Sequence, residues 1–169
     1  GANYTYPPPQ VNTVPGPTQT VNQNVTVNFT PTLPTFGPGG AATVNAAAAQ
    51  VPPNSVTPGP VVAIPGGTQQ TTTRIRSTIT VNLLTNNNAT SPTPVGTGAQ
   101  LQDARFRTIR QQLINQGIPA GNIIRGTTQF GVPTTQMNGN VNQVNFNIRT
   151  TTTQRTTTVT NTPTQVTGF

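Results

Sequence analysis

Few side chains of this sequence can take part in catalytic chemistry. The sequence has no histidine, cysteine, lysine or glutamate, and its single acid is Asp103. A His-based triad, a carboxylate pair, a Schiff base and an ordinary transition-metal site all require residue types that are missing here. The composition therefore predicts a protein that is not an enzyme, with no catalytic residue, no metal site and no cofactor.

Eight arginines carry the positive charge, and the formal net charge is +7. This charge makes an anionic surface polysaccharide a candidate partner. Proteins that bind nucleic acid usually cluster their basic residues and stack bases on aromatic rings. Here the arginines are spread along the chain, tryptophan is absent and 5% of the residues are aromatic. The composition therefore argues against nucleic acid as a partner.

The surface of the folded chain must consist mainly of neutral polar groups. Only 5% of the residues are charged, compared with about 25% in a typical soluble protein. Thr, Asn and Gln hydrogen-bond to water but cause little like-charge repulsion between copies. We therefore expect copies of the chain to pack side by side as a homo-oligomer or polymer.

Hydrophobic periodicity predicts the strands and helices of the chain. Apolar and polar residues alternate in several segments, which is typical of strands with one buried face. Strands are predicted at 21–30, 75–83, 123–124 and 144–149. An alanine-rich segment predicts a helix at 41–51. A capping box at 97–100 begins a second helix, which Gly117 ends.

The resulting order is strand, helix, strand, helix, strand, strand. This order predicts an α/β fold, an α+β sandwich in which two helices cover one face of a mixed sheet. The folded domain is expected at 21–150, with an insertion rich in Pro, Gly and Thr at 52–72 that shows no period and is interpreted as a linker.

Both ends of the chain are predicted to be extended arms. Residues 1–20 contain a proline triplet, which favours extended backbone. Residues 151–169 are rich in β-branched threonine and carry no core of their own. Two interpretations stay open: the arms are solvated and disordered, or they add strands to neighbouring subunits through main-chain hydrogen bonds.

The segment LQDARFRTIRQQLINQGIPAGNIIRG at 101–126 resembles the OmpA-like, peptidoglycan-associated domain family. The motif of that family is L-S-x-x-R-A-x-x-V-x-x-x-L followed by G-[IV]-P-x-x-x-I. The matching residues are Leu101, Arg105, Ile109, Leu113, Gly117, Ile118 and Pro119. A weaker resemblance extends over 21–150, where VTVNFTP, AATVNAAAAQ and VNQVNFNIR resemble the opening strand, first helix and closing strand. The resemblance implies an OmpA-like β-α-β-α-β-β domain.

The resemblance also implies a ligand site. Many members of the family hold the diaminopimelate of peptidoglycan between an Asp and an Arg. Arg105 matches that Arg, and Asn86 stands at the position of the Asp, where an amide offers no charge to an ammonium group. Two other interpretations stay open. Arg105 could be a helix arginine with its stem packed on the sheet, and 86–88 could be an ordinary turn.

The sequence predicts an exported protein. No run of about 18 apolar residues exists, so no transmembrane helix is expected. The chain begins with Gly1 rather than Met, as expected after removal of a signal peptide. The location is then the cell surface or the extracellular space, or alternatively the periplasm or outer membrane.

The favoured function is a structural subunit of a bacterial surface assembly such as a fibre, sheath or layer, built by self-association through the terminal arms. The alternative is a cell-envelope anchor that binds peptidoglycan weakly. In a third interpretation, which is compatible with either role, the loss of carboxylates adapts an envelope protein to acid.

Overall fold

The computed structural model describes residues 4–5, 8–137, 142–161 and 164–165. These residues form an α+β fold with a mixed sheet and two α-helices, as the sequence predicts. The strands are β1 (Tyr4–Thr5), β2 (Gln10–Pro15), β3 (Gln19–Asn28), β4 (Ser55–Pro58), β5 (Val62–Ile64), β6 (Gly67–Thr85), β7 (Pro92–Thr93), β8 (Gly96–Thr97), β9 (Ile123–Gln129), β10 (Asn142–Thr160) and β11 (Thr164–Gln165). The helices are α1 (Gly40–Ala49) and α2 (Gly98–Asn115).

The chain divides into two compact units. The core unit consists of Val21–Pro53 and Ser77–Thr150. The strand unit consists of Gly1–Thr20, Asn54–Arg76 and Thr151–Phe169. Both β6 and β10 contribute residues to each unit, so neither unit is a single continuous stretch of sequence.

Every buried apolar residue that the structure describes belongs to the core unit. Alternate residues of β6 are buried from Ser77 to Thr85, as expected for a strand with one face against a hydrophobic core. Both helices pack against that face. The core cluster contains Val25, Val27, Phe29, Val44, Ala47, Ala48, Ile79, Val81, Leu83, Ile109, Leu113, Ile118, Ile123, Phe146 and Ile148.

Strand pairing in the core unit is mixed. β9 runs parallel to β6, with Ile79 opposite Ile123. β3 pairs with β10, and a hydrogen bond of 3.2 Å joins the hydroxyls of Ser77 and Thr150. The parallel pair β6–β9 is connected through α2, the crossover that parallel neighbours require.

Helix α2 begins and ends at the residues that its sequence predicts. The Thr97 side chain accepts a hydrogen bond from the Gln100 main-chain N–H, and the Gln100 side chain accepts one from the Thr97 N–H. Gly117 follows the helix with a φ of 93°, which favours glycine. No helix among the described ranges has the length and apolarity needed to cross a membrane.

The strand unit is an antiparallel ladder with the order β2, β10, β6, β4. β2 pairs with β10 from Gln10 opposite Thr160 to Pro15 opposite Arg155. β4 and β5 pair with the other edge of β6. At Gly67 an added Cβ would overlap the carbonyl oxygen of Val159, so β6 and β10 approach closely there.

The structure differs from the sequence-based expectation at 52–72. The sequence predicts a linker there, yet β4, β5 and the start of β6 lie within this segment or overlap it. Pro and Thr both adopt extended backbone, and a strand held by main-chain hydrogen bonds needs no apolar period. The two expected arms also meet within one chain, since β2 pairs with the end of β10.

Candidate functional site

Arg105, the first residue of the expected ligand site, is buried. Its side chain is 0% exposed. Its Nε donates a hydrogen bond to the carbonyl oxygen of Leu33 at 3.0 Å, and its Nη2 donates to that of Thr30 at 3.2 Å. The guanidinium carbon lies 5.3 Å from the centre of the Phe29 ring. Arg105 therefore holds the loop after β3 against α2.

The charge of Arg105 is kept despite burial. Loss of hydration lowers the pKa of Arg105 to about 10, so the guanidinium remains protonated at neutral pH. Hydrogen bonds from a charged donor to two carbonyls offset part of the cost of removing that charge from water. The same loop is held further down α2, where the Thr108 hydroxyl donates to the carbonyl of Pro34 at 2.7 Å.

Asn86, the second residue of the expected site, contacts a different segment. It follows β6 and is exposed. Its Nδ2 donates a hydrogen bond to the carbonyl oxygen of Val132 at 3.0 Å, which ties the loop after β6 to the segment after β9. The structure thus places Arg105 against the loop after β3 and Asn86 against Val132. Binding of peptidoglycan by this pair stays a prediction, which cosedimentation with purified sacculi would test.

Gln102 is a buried polar residue that the sequence-based site does not include. Its side chain is 0% exposed, and no described group forms a hydrogen bond with its amide nitrogen or oxygen.

The sequence contains a signal for the burial of Arg105. Leu101, Arg105, Ile109 and Leu113 recur every fourth residue and therefore lie on one face of the helix. Three apolar members of that row indicate an inward face.

The single acid forms an exposed ion pair. The Asp103 carboxylate binds Arg125, and the two side chains are 44% and 37% exposed. The Arg125 guanidinium also lies over the Phe106 ring at 5.4 Å. Exposed pairs of this kind contribute about 0–1 kcal/mol to stability. This pair therefore joins α2 to β9 at the surface.

A groove beside α2 is lined mainly by neutral side chains. One groove of about 530 Å³ is lined by Pro34, Ala104, Arg107, Thr108, Gln111 and Gln112. Arg107 is its only charged residue. Its other polar groups are neutral amides and a hydroxyl, which can bind a polar surface but supply neither a nucleophile paired with a base nor a metal ligand set.

The strand unit has the most distinctive surface. None of its described side chains is buried, so both faces of its ladder meet solvent. Five valines there are largely exposed: Val11 (65%), Val14 (52%), Val56 (65%), Val61 (63%) and Val62 (52%). A sheet without a buried face has almost no hydrophobic stabilisation of its own, and exposed apolar strands are typical of interaction surfaces.

The edge strands of this ladder lack one of the usual protections against pairing, which is charged side chains. β2 lies at one edge and β4 at the other. Soluble proteins usually place charged side chains on exposed edge strands. The sequences of β2 (QVNTVP) and β4 (SVTP) contain no charged residue, and each ends in a proline. Proline removes one donor, but the rest of each edge can bind another strand.

The chain matches no family model and no curated protein. The candidate site therefore rests on the described geometry, in which the strand unit has exposed valines and uncharged edge strands.

Proposed function

We propose that this protein is a non-enzymatic structural subunit of a bacterial cell-surface or extracellular assembly, such as a fibre, sheath or layer. Copies associate through their terminal arms, residues 1–20 and 151–169. The observation that supports this proposal most strongly is the strand unit, in which no described side chain is buried. Ordering each residue costs about 1–2 kcal/mol of backbone entropy, and contacts with other copies would offset that cost.

The uncharged edge strands permit a copy of the same chain as the partner, whereas the net charge of +7 opposes close approach of whole copies. The strand unit carries Arg74, Arg76 and Arg155 and no acid, and the whole chain has a single acid. Its edge strands are uncharged, so two copies can approach edge to edge without the repulsion that charged edges create. Main-chain hydrogen bonds between strands then supply affinity without any specific side-chain chemistry.

The core unit serves in this proposal as the building block, and we infer that it is a divergent OmpA-like domain. Two features support the inference. Apart from the two-residue strands β7 and β8, the described order of its strands and α-helices is strand, helix, strand, helix, strand, strand. Helix α2, with its capping box and the turn at Gly117, lies in the segment that resembles the family motif. Export to the cell surface belongs to the same proposal.

Sedimentation velocity at several protein concentrations tests the proposal. The full chain should form oligomers that grow with concentration, whereas a chain lacking residues 1–20 should sediment as smaller species. The shortened chain should keep its helical circular dichroism signal and a cooperative melt, because both α-helices and the described buried residues lie in the core unit. A full chain that is monomeric at every concentration would contradict the function. Equal association of both chains would contradict the role of the N-terminal arm.

A further inference from the structure

β2 is attached to its own chain almost entirely through its backbone. It forms six residue pairs with β10, from Gln10 opposite Thr160 to Pro15 opposite Arg155. Val11 and Val14 are 65% and 52% exposed, so β2 adds no side chain to a core. A side-chain contact at 3.4 Å joins the hydroxyls of Thr13 and Thr157. An identical strand from another copy would reproduce all of these contacts.

The segment after β2 has the composition of a hinge. Gly16 and Pro17 follow Pro15, the last residue of β2, and neither proline can donate a hydrogen bond to the ladder. Gly16 donates to the carbonyl oxygen of Gln154 at 2.7 Å. Short hinges that restrict the backbone favour exchange of the adjoining element between copies.

We propose that β2 of one copy pairs with β10 of the next copy, in the register that it uses within its own chain. This inference rests on the proposed function and specifies the contact between subunits. Each copy gives one strand and accepts one, so reciprocal exchange between two copies makes a two-fold dimer, whereas giving to one neighbour and accepting from another makes a head-to-tail contact. Contacts of that kind form rings when the rotation between copies closes and filaments when it does not.

The described register between β2 and β10 indicates that the strand which pairs with the edge of β10 is another copy of β2. Thr13 faces Thr157, Val11 faces Val159, and Arg155 stands opposite Pro15 rather than another charge. Exchange leaves the number of hydrogen bonds unchanged, so high protein concentration favours the exchanged form. Edge-to-edge pairing of two β2 strands is the competing arrangement, and it brings different positions together.

Engineered disulfides test the exchange directly, because the protein has no native cysteine. Thr13→Cys and Thr157→Cys are made in separate chains, one of them isotopically labelled, and the chains are mixed under denaturing conditions, refolded together and oxidised. Residues directly opposite in an antiparallel pair have a Cα separation of about 4.5–5.5 Å, which suits a disulfide. The expected result is a shift from monomer to dimer mass, with a disulfide that joins position 13 of one chain to position 157 of the other.

Thr71 and Thr156 provide the matched control. Their hydroxyls lie 3.0 Å apart on β6 and β10, two strands that the proposal does not exchange. A chain carrying both Thr71→Cys and Thr156→Cys should form its disulfide internally. A mixture of the two single-substitution chains should give no link between positions 71 and 156.

Each other outcome overturns a defined part of the account. If oligomers form but the mixed chains give no 13–157 link, strand exchange is wrong and self-association stands. If position 13 links mainly to position 13 of another chain, edge-to-edge pairing replaces exchange. If no oligomer forms before oxidation, the proposed function fails and the exchange fails with it.

Discussion

The uneven burial of β6 predicts an uneven response to truncation of its isoleucines. Ile79 lies in the core unit and is 0% exposed, whereas Ile75 lies in the strand unit and is only partly buried. Ile→Ala removes three carbons, each worth about 0.8 kcal/mol of transfer free energy, and the cavity brings the usual total to about 2–5 kcal/mol. We expect Ile79→Ala to cost about 3 kcal/mol and Ile75→Ala about 1 kcal/mol.

Thermal and urea melts of the two variants at low protein concentration measure the difference. For a chain of this size, a loss of about 3 kcal/mol lowers the Tm by roughly 6–12 °C, and a loss of about 1 kcal/mol by roughly 2–4 °C. The pair is matched in residue type and strand, so β propensity cancels between them. Equal losses at both positions would refute the conclusion that the described hydrophobic core is confined to the core unit.

Three further predictions concern single groups. Gln102→Leu should stabilise the protein by about 1 kcal/mol, because it removes a buried amide without a described partner. Gln112→Leu should destabilise the protein by about as much, because the Gln112 amide donates a hydrogen bond of 2.7 Å. Thermal melts in which both variants change stability in the same direction would contradict this. Gly67→Ala should speed amide hydrogen exchange in the adjoining main chain of β10, because the added Cβ would overlap the Val159 carbonyl oxygen. Gly121→Ala should not change these rates, because its Cβ meets no atom within 4 Å. Equal exchange rates in the two variants would contradict the close approach of β6 and β10. The pKa of Arg105 is lowered to about 10 in the folded protein. Above about pH 9 the unfolded chain therefore binds more protons than the folded protein, and the free energy of unfolding should rise with pH there. Urea midpoints should therefore be flat between about pH 5 and 9, and a large change there would contradict this.

The parts of the fold that local sequence determines were predictable. The capping box at Thr97 and the turn at Gly117 are encoded by adjacent residues, so the bounds of α2 follow from the sequence. The core strands were predictable for the same reason, since the alternation of apolar residues in β6 needs no knowledge of its partners.

The strand unit could not be predicted because its strands carry no apolar period. β10 continues from Asn142 to Thr160 through a run of threonines, whereas alternation indicates a strand only up to Arg149. β4 and β5 are strands because β6 supplies hydrogen-bond partners from a distant part of the sequence. Pairing between such segments is not encoded in either one alone.

The candidate site was predictable in position but not in environment. The sequence places Arg105 on α2, and the structure agrees. Its burial depends on the loop after β3, whose carbonyls at Thr30 and Leu33 accept its hydrogen bonds. Nothing in the local sequence of α2 specifies that loop, although the row of apolar neighbours four residues apart indicates that Arg105 faces inward.

Negative-stain electron microscopy of the untagged full chain, at neutral pH and moderate salt, tests the central proposal most directly. Self-association through the arms predicts regular filaments, sheets or rings that are lost when residues 1–20 are removed. Dispersed particles of monomer size across the concentration range would contradict the proposal that the protein is an assembly subunit.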